Sequence, residues 1–110
     1  MSLSYQNAYA KAAQEDRCAP RVALALPATL RPSGSPAFST MLVDLSLGGF
    51  AAQAVTGMRS GTLCWLSVGP LKGLQAEVIW NDGSTVGCAF ATMLNQAVFD
   101  SLLRQPLAAR

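Results

Sequence analysis

This chain contains no histidine, few charged residues (13%) and no long apolar run, and each shortage excludes a class of function. Without histidine, neither an imidazole general base nor a histidine-ligated metal can arise from these residues. The 6 carboxylates are scattered, with no tight cluster for paired acid–base work, and Ser67 and the cysteines have no evident base beside them. The expectation is therefore no enzyme, no metal and no cofactor. The longest uncharged stretch, Gly83 to Phe99, is studded with Ser, Thr, Asn and Gln and cannot span a membrane. No charged N-terminal segment leads into an apolar one, so no signal peptide is read. Cysteine is sparse and odd in number (Cys18, Cys64 and Cys88), with no CxxC pair. Cys64 and Cys88 sit inside apolar runs and are expected to pack as small hydrophobes. Taken together, these absences predict a cytoplasmic protein with no membrane insertion.

What is present is a domain-sized apolar chain. At 110 residues and 51% hydrophobic, it can bury one real core without staples. A net charge of +2 is too mild for a polymeric nucleic-acid partner, which calls for a strongly basic face. Most of the 8 basic residues are arginine, which suits discrete bidentate contacts better than a diffuse lysine field. The balance favours a small anionic ligand.

Apolar alternation is the main structural signal. Val22 to Leu30 places Val22, Leu24, Leu26, Ala28 and Leu30 on one side, with Pro27 on the other phase suggesting an edge or a bulge. Arg31 to Pro36 reads as a turn. Ser39 to Val43, Phe50 to Val55, Thr62 to Val68, Leu74 to Asn81 and Thr85 to Phe90 read as further strands. Gly69-Pro70 and Lys72-Gly73 mark one turn, and Asn81-Asp82-Gly83 is a hairpin signal. Trp65 and Trp80 lie on apolar alternating strands and are expected in the core. From Asn95 the period becomes helical, with Val98 and Leu102 on one face before Pro106. The fold class predicted is mainly β, a six-stranded antiparallel barrel with a C-terminal helix. Residues 1–14 read as a mobile arm or short helix, 15–105 as the barrel with its closing helix and 106–110 as a tail.

Two clusters stand out from this plain framework. Arg17-Cys18-Ala19-Pro20-Arg21 sets two guanidiniums four residues apart just before the first strand. Asp44-Leu45-Ser46-Leu47-Gly48-Gly49 puts a carboxylate, a hydroxyl and two glycines in the turn between two later strands. Guanine offers acceptors O6 and N7 on one edge, matching Arg, and donors N1–H and N2–H₂ on another, matching a carboxylate. Phosphates favour Arg and backbone N–H groups freed by glycine. Each cluster has a plainer reading: solvated charges at a strand entrance for the first, and good turn chemistry for the second. The readings are compatible, because the geometry that closes a turn can also aim Asp44 and Ser46 outward.

RxxxR followed by DxSxxG across a strand pair resembles the PilZ domain family, bacterial receptors for the second messenger cyclic di-GMP. Val78-Ile79-Trp80, Gly87 and Phe90 are similar to that family's closing strands. The resemblance implies a split-barrel fold and a cyclic di-GMP site made by Arg17, Arg21, Asp44, Ser46, Gly48 and Gly49. It also implies relay to a downstream protein partner, here expected through ordering of the N-terminal segment. Many family members carry a further Arg before the motif; here that place is Asp16, after Glu15, which lowers the local positive potential. Two other classes are a PilZ-fold adaptor that binds no nucleotide, and a small barrel for single-stranded RNA. The intact motifs count against the first. The lack of a basic groove with surface aromatics counts against the second.

Overall fold

The computed structural model describes residues 21–54 and 58–104. The expected arm, Arg17, Cys18 and the tail lie outside the described residues. Six strands, β1 (Val22–Pro32), β2 (Phe38–Leu45), β3 (Gly49–Gln53), β4 (Leu63–Val68), β5 (Leu71–Asn81) and β6 (Thr85–Phe90), precede helix α1 (Gln96–Leu103). All pairings are antiparallel, in the order β1-β2-β3-β6-β5-β4, and β4 pairs back to β1 to close a barrel.

The alternating sequence explains the closure. Leu26, Leu30, Leu42, Phe50, Leu66 and Phe90 all point inward and are essentially inaccessible. Burying such side chains on one phase contributes about 1.5–3 kcal/mol each, and a closed sheet is one way a single layer can shield them. Phe50 and Phe90 meet inside as a tilted pair with ring centroids 5.3 Å apart. Cys64 and Cys88 are buried free thiols, as expected of small hydrophobes. The Cys88 thiol is pushed far up in pKa, first by its hydrogen bond with Cys64 and then by burial, so it stays protonated and inert. Helix α1 is capped by Asn95, whose side chain accepts from Val98 N–H at 2.8 Å, and it adds Phe99 and Leu102 to the core.

Three expectations are corrected. Arg31 and Pro32 belong to β1 rather than to a turn, because β4 supplies partners for Thr29 through Pro32. Lys72 and Gly73 lie inside β5, since Leu71 already pairs with Val68 and the Gly73 N–H is held by Ser67 Oγ at 3.1 Å. Neither tryptophan is in the core. Cys64, Leu66 and Val68 take the inward phase of β4, so Trp65 faces outward, under the Arg31 guanidinium at 4.4 Å. Trp80 is 44% exposed because a bulge at Ile79 shifts the phase of β5 after Val78. Pro27 pairs with Met41 of β2 just past the register shift between Ala23 and Leu26, and pairing to β4 begins only at Thr29. Its missing N–H is thus tolerated beside the open part of the strand.

Candidate functional site

Asp44 sits near the end of β2 with irregular ladders on both sides. Pairing with β1 shifts between Ala23 and Leu26, and pairing with β3 shifts between Leu42 and Asp44. Such irregularities re-aim a side chain, and here the Asp44 carboxylate turns to the outer face beside the entrance of β1. Arg21, the residue just before β1, donates from Nη2 to Asp44 Oδ1 at 2.9 Å. The two side chains keep 41% and 30% of their accessible surface. A half-exposed pair of this kind adds at most about 1 kcal/mol to stability, so its value is placement of charge rather than fold energy.

The turn after Asp44 is more rigid than its composition suggests. Ser46 is fully buried. Its N–H donates to the Gly49 carbonyl at 2.9 Å, and the Gly49 N–H returns a bond to Ser46 Oγ at 3.2 Å. Phe90 N–H and Leu94 N–H then donate to the carbonyls of Gly48 and Leu47, each at 2.9 Å, tying the turn to β6 and to the approach of α1. Gly49 has no room for a side chain, since a Cβ there would overlap the Cys88 carbonyl oxygen. Within the second motif, then, Asp44 points to solvent while Ser46, Gly48 and Gly49 fix the turn that aims it.

From Asp44 a single row crosses the outer face. Asp44 pairs with Ala51, Ala51 with Gly87, and Gly87 with Trp80. The Trp80 indole lies flat over Gly87, occupying the space a Cβ would need. Two strand spacings, about 10 Å, separate Asp44 from Gly87. Among the described residues, the strip between them carries Ala51 and its small neighbours Gly49 and Ala89, all three buried. A carboxylate and a guanidinium at one end, a row of small buried residues, and a part-exposed indole at the other line up across the sheet. Their chemistry suits a planar group with hydrogen-bond donors and acceptors on its edges. Trp80 was not among the residues the sequence singled out for a site, although a Gly directly opposite a Trp across an Asp-Gly hairpin was a readable signal.

Two other carboxylates are perturbed. Burial raises the pKa of Glu77, on the outer phase of β5. Hydrogen bonds from the Ser84 and Thr85 backbone lower that of Asp82, in the β5–β6 turn. No group of three or more Cys, Asp or Glu able to hold a metal occurs among the described residues.

The family model for the PilZ domain matches residues 15–105, which includes both motifs and every strand. The chain belongs to the PilZ family. A solved structure, the crystal structure of the PilZ domain of CeSA from a cellulose-synthesizing bacterium, is 21% identical. It covers 82% of this chain and 95% of its own, with a TM-score of 0.55. That likeness establishes a shared fold. No curated protein matches this chain. Of the six motif positions, Arg21, Asp44, Ser46, Gly48 and Gly49 of the PilZ domain gather at one end of the barrel, and Arg17 lies outside the described residues. No helix among the described residues is long and apolar enough to cross a membrane.

Proposed function

We propose that this PilZ domain is a receptor and adaptor module, not an enzyme, that binds cyclic di-GMP and passes the signal to a protein partner in the cytoplasm. The observation that carries the reading is the 2.9 Å pairing of Arg21 with Asp44, in line across the sheet with the part-exposed indole of Trp80. Around one guanine ring, the acceptor edge O6/N7 and the donor edge N1/N2 are adjacent. A guanidinium and a carboxylate held side by side can therefore address both edges of the same base. Arg17 supplies a second guanidinium for phosphate or for the other guanine, and Ser46, Gly48 and Gly49 hold the turn that presents Asp44. Trp80 closes the far end of the row as a stacking surface. Relay runs through residues 15–22, where both arginines lie directly ahead of β1.

Isothermal titration with cyclic di-GMP tests this. Binding at micromolar or tighter Kd supports the receptor reading. No heat at high protein concentration, confirmed by equilibrium dialysis, leaves the protein-only adaptor in its place.

A further inference from the structure

The outer face of β1, β4 and β5 carries a patch that the nucleotide reading does not use. Arg31 pairs with Trp65, and Leu63 pairs with Glu77 one row away. All four side chains are on the outward phase, and neither Trp65 nor Leu63 packs into the core cluster. Arg31 rests on the Trp65 ring, and no carboxylate pairs with it among the described residues. Glu77 has no cationic partner among the described residues either, and its ionised form is disfavoured by burial. Opposite, unmatched charges thus stand on a diagonal about 12 Å long, taking strand spacing and rise from ordinary sheet geometry. Two apolar side chains fill the space between them.

This arrangement is self-complementary. A twofold axis lying in the plane of contact, perpendicular to the Arg31–Glu77 diagonal, exchanges the two ends of that diagonal. It lays Arg31 over the partner's Glu77 and, by the same operation, Glu77 over the partner's Arg31. Trp65 and Leu63 lie close to the axis and pack against their own copies. An isologous contact of this kind needs each patch to complement itself, and a patch with one charge at each end of an apolar centre does. Trp and Arg are also the residue types that most often anchor interfaces.

We propose that the Arg31–Trp65–Leu63–Glu77 face is a homodimer interface, occupied by a second copy of this chain. The barrel is convex, so the contact falls below the roughly 1,200 Å² of total buried area at which stable complexes begin. The dimer is therefore weak and rapidly exchanging, with a Kd in the micromolar to millimolar range, and it weakens further in high salt.

Sedimentation equilibrium of the full chain, over protein concentrations up to about 1 mM, reads this directly. The wild type is expected to shift from monomer towards dimer mass as concentration rises. R31E and E77R should each raise the dimer Kd at least tenfold, because each places like charges opposite one another. The double variant R31E/E77R should regain most of the wild-type association, since the swapped charges again face their complements. Thermal melts of all four proteins separate loss of contact from loss of fold. A wild type that stays monomeric throughout, single variants that associate like the wild type, or a double variant as weak as the singles would each overturn the proposal.

Discussion

Trp80 lies flat over Gly87, its cross-strand partner, and the space beneath the indole is that of a missing Cβ. This pairing fixes the far end of the row that begins at Asp44. Gly87→Ala should push the indole off the sheet and lose strand contact, destabilising the barrel by about 1–3 kcal/mol. Trp80→Ala should destabilise less, because the side chain is 44% exposed, yet it should weaken cyclic di-GMP binding by about 1–3 kcal/mol through lost stacking. Denaturant melts and titration calorimetry separate the two effects. Unchanged nucleotide affinity in Trp80→Ala would confine the indole to a structural role.

At the other end of the row, Arg21→Ala and Arg17→Ala should each reduce cyclic di-GMP affinity by about 2 kcal/mol, roughly thirtyfold, the loss of a charge-assisted contact. Arg21→Ala should melt within about 1 kcal/mol of the wild type, because its exposed pair with Asp44 adds little to stability. Calorimetry and a melt on the same samples check both halves.

Asp44 should set the base preference. Adenine has no N1–H and no N2 amino group, so cyclic di-AMP leaves the carboxylate unmatched. Wild type should bind the guanine ligand much more tightly than the adenine one, and Asp44→Ala should narrow the gap by weakening the guanine complex. Equal affinities in the wild type would leave Asp44 with no part in recognition.

Gly49→Ala tests the rigid half of the second motif. A Cβ there meets the Cys88 carbonyl oxygen, a backbone atom that can yield only if β3 and β6 separate. A loss of about 3 kcal/mol or more is expected in urea unfolding. Ser46→Ala removes the acceptor for the Gly49 N–H inside a closed site and should destabilise by about 1–3 kcal/mol.

Asp82 makes the β5–β6 turn sensitive to acid. Its carboxylate accepts from the Ser84 and Thr85 N–H groups, which lowers its pKa in the folded state. The contribution is fully present above the unfolded value of about 3.9. It is lost as pH falls through the lower folded value, because only the unfolded chain then gains by taking up the proton first. Asp82→Asn should therefore flatten the acid limb of the stability–pH curve. An unchanged acid limb would mean the turn does not report on that carboxylate.

Ligand binding should leave a localised trace. Amide hydrogen exchange is expected to slow most across residues 15–22 and around Asp44 to Gly49 on adding cyclic di-GMP, with little change at Thr85 to Phe90. Equal protection across 15–22 with and without ligand would move the relay elsewhere.

The sequence by itself determined the framework. Inward alternation in β1 and β4, the Asp82-Gly83 turn with Gly83 at φ 100°, and the change to helical spacing after Asn95 are local signals written within a few residues. The two motifs were equally local, but their meeting was not, since Arg21 and Asp44 are joined only when β1 pairs with β2. Tertiary structure decided what depends on register. Alternation alone carries Trp80 inward with Val78, and only the bulge at Ile79, set by pairing with β6, turns it out over Gly87. Arg31 reads as a turn residue until β4 closes the barrel and draws it into a ladder beside Trp65. The folded turn likewise decides that Ser46 is buried beside Gly49 rather than standing exposed. The two strand cases depend on pairing between strands, where a one-residue change in register reverses which face a side chain occupies.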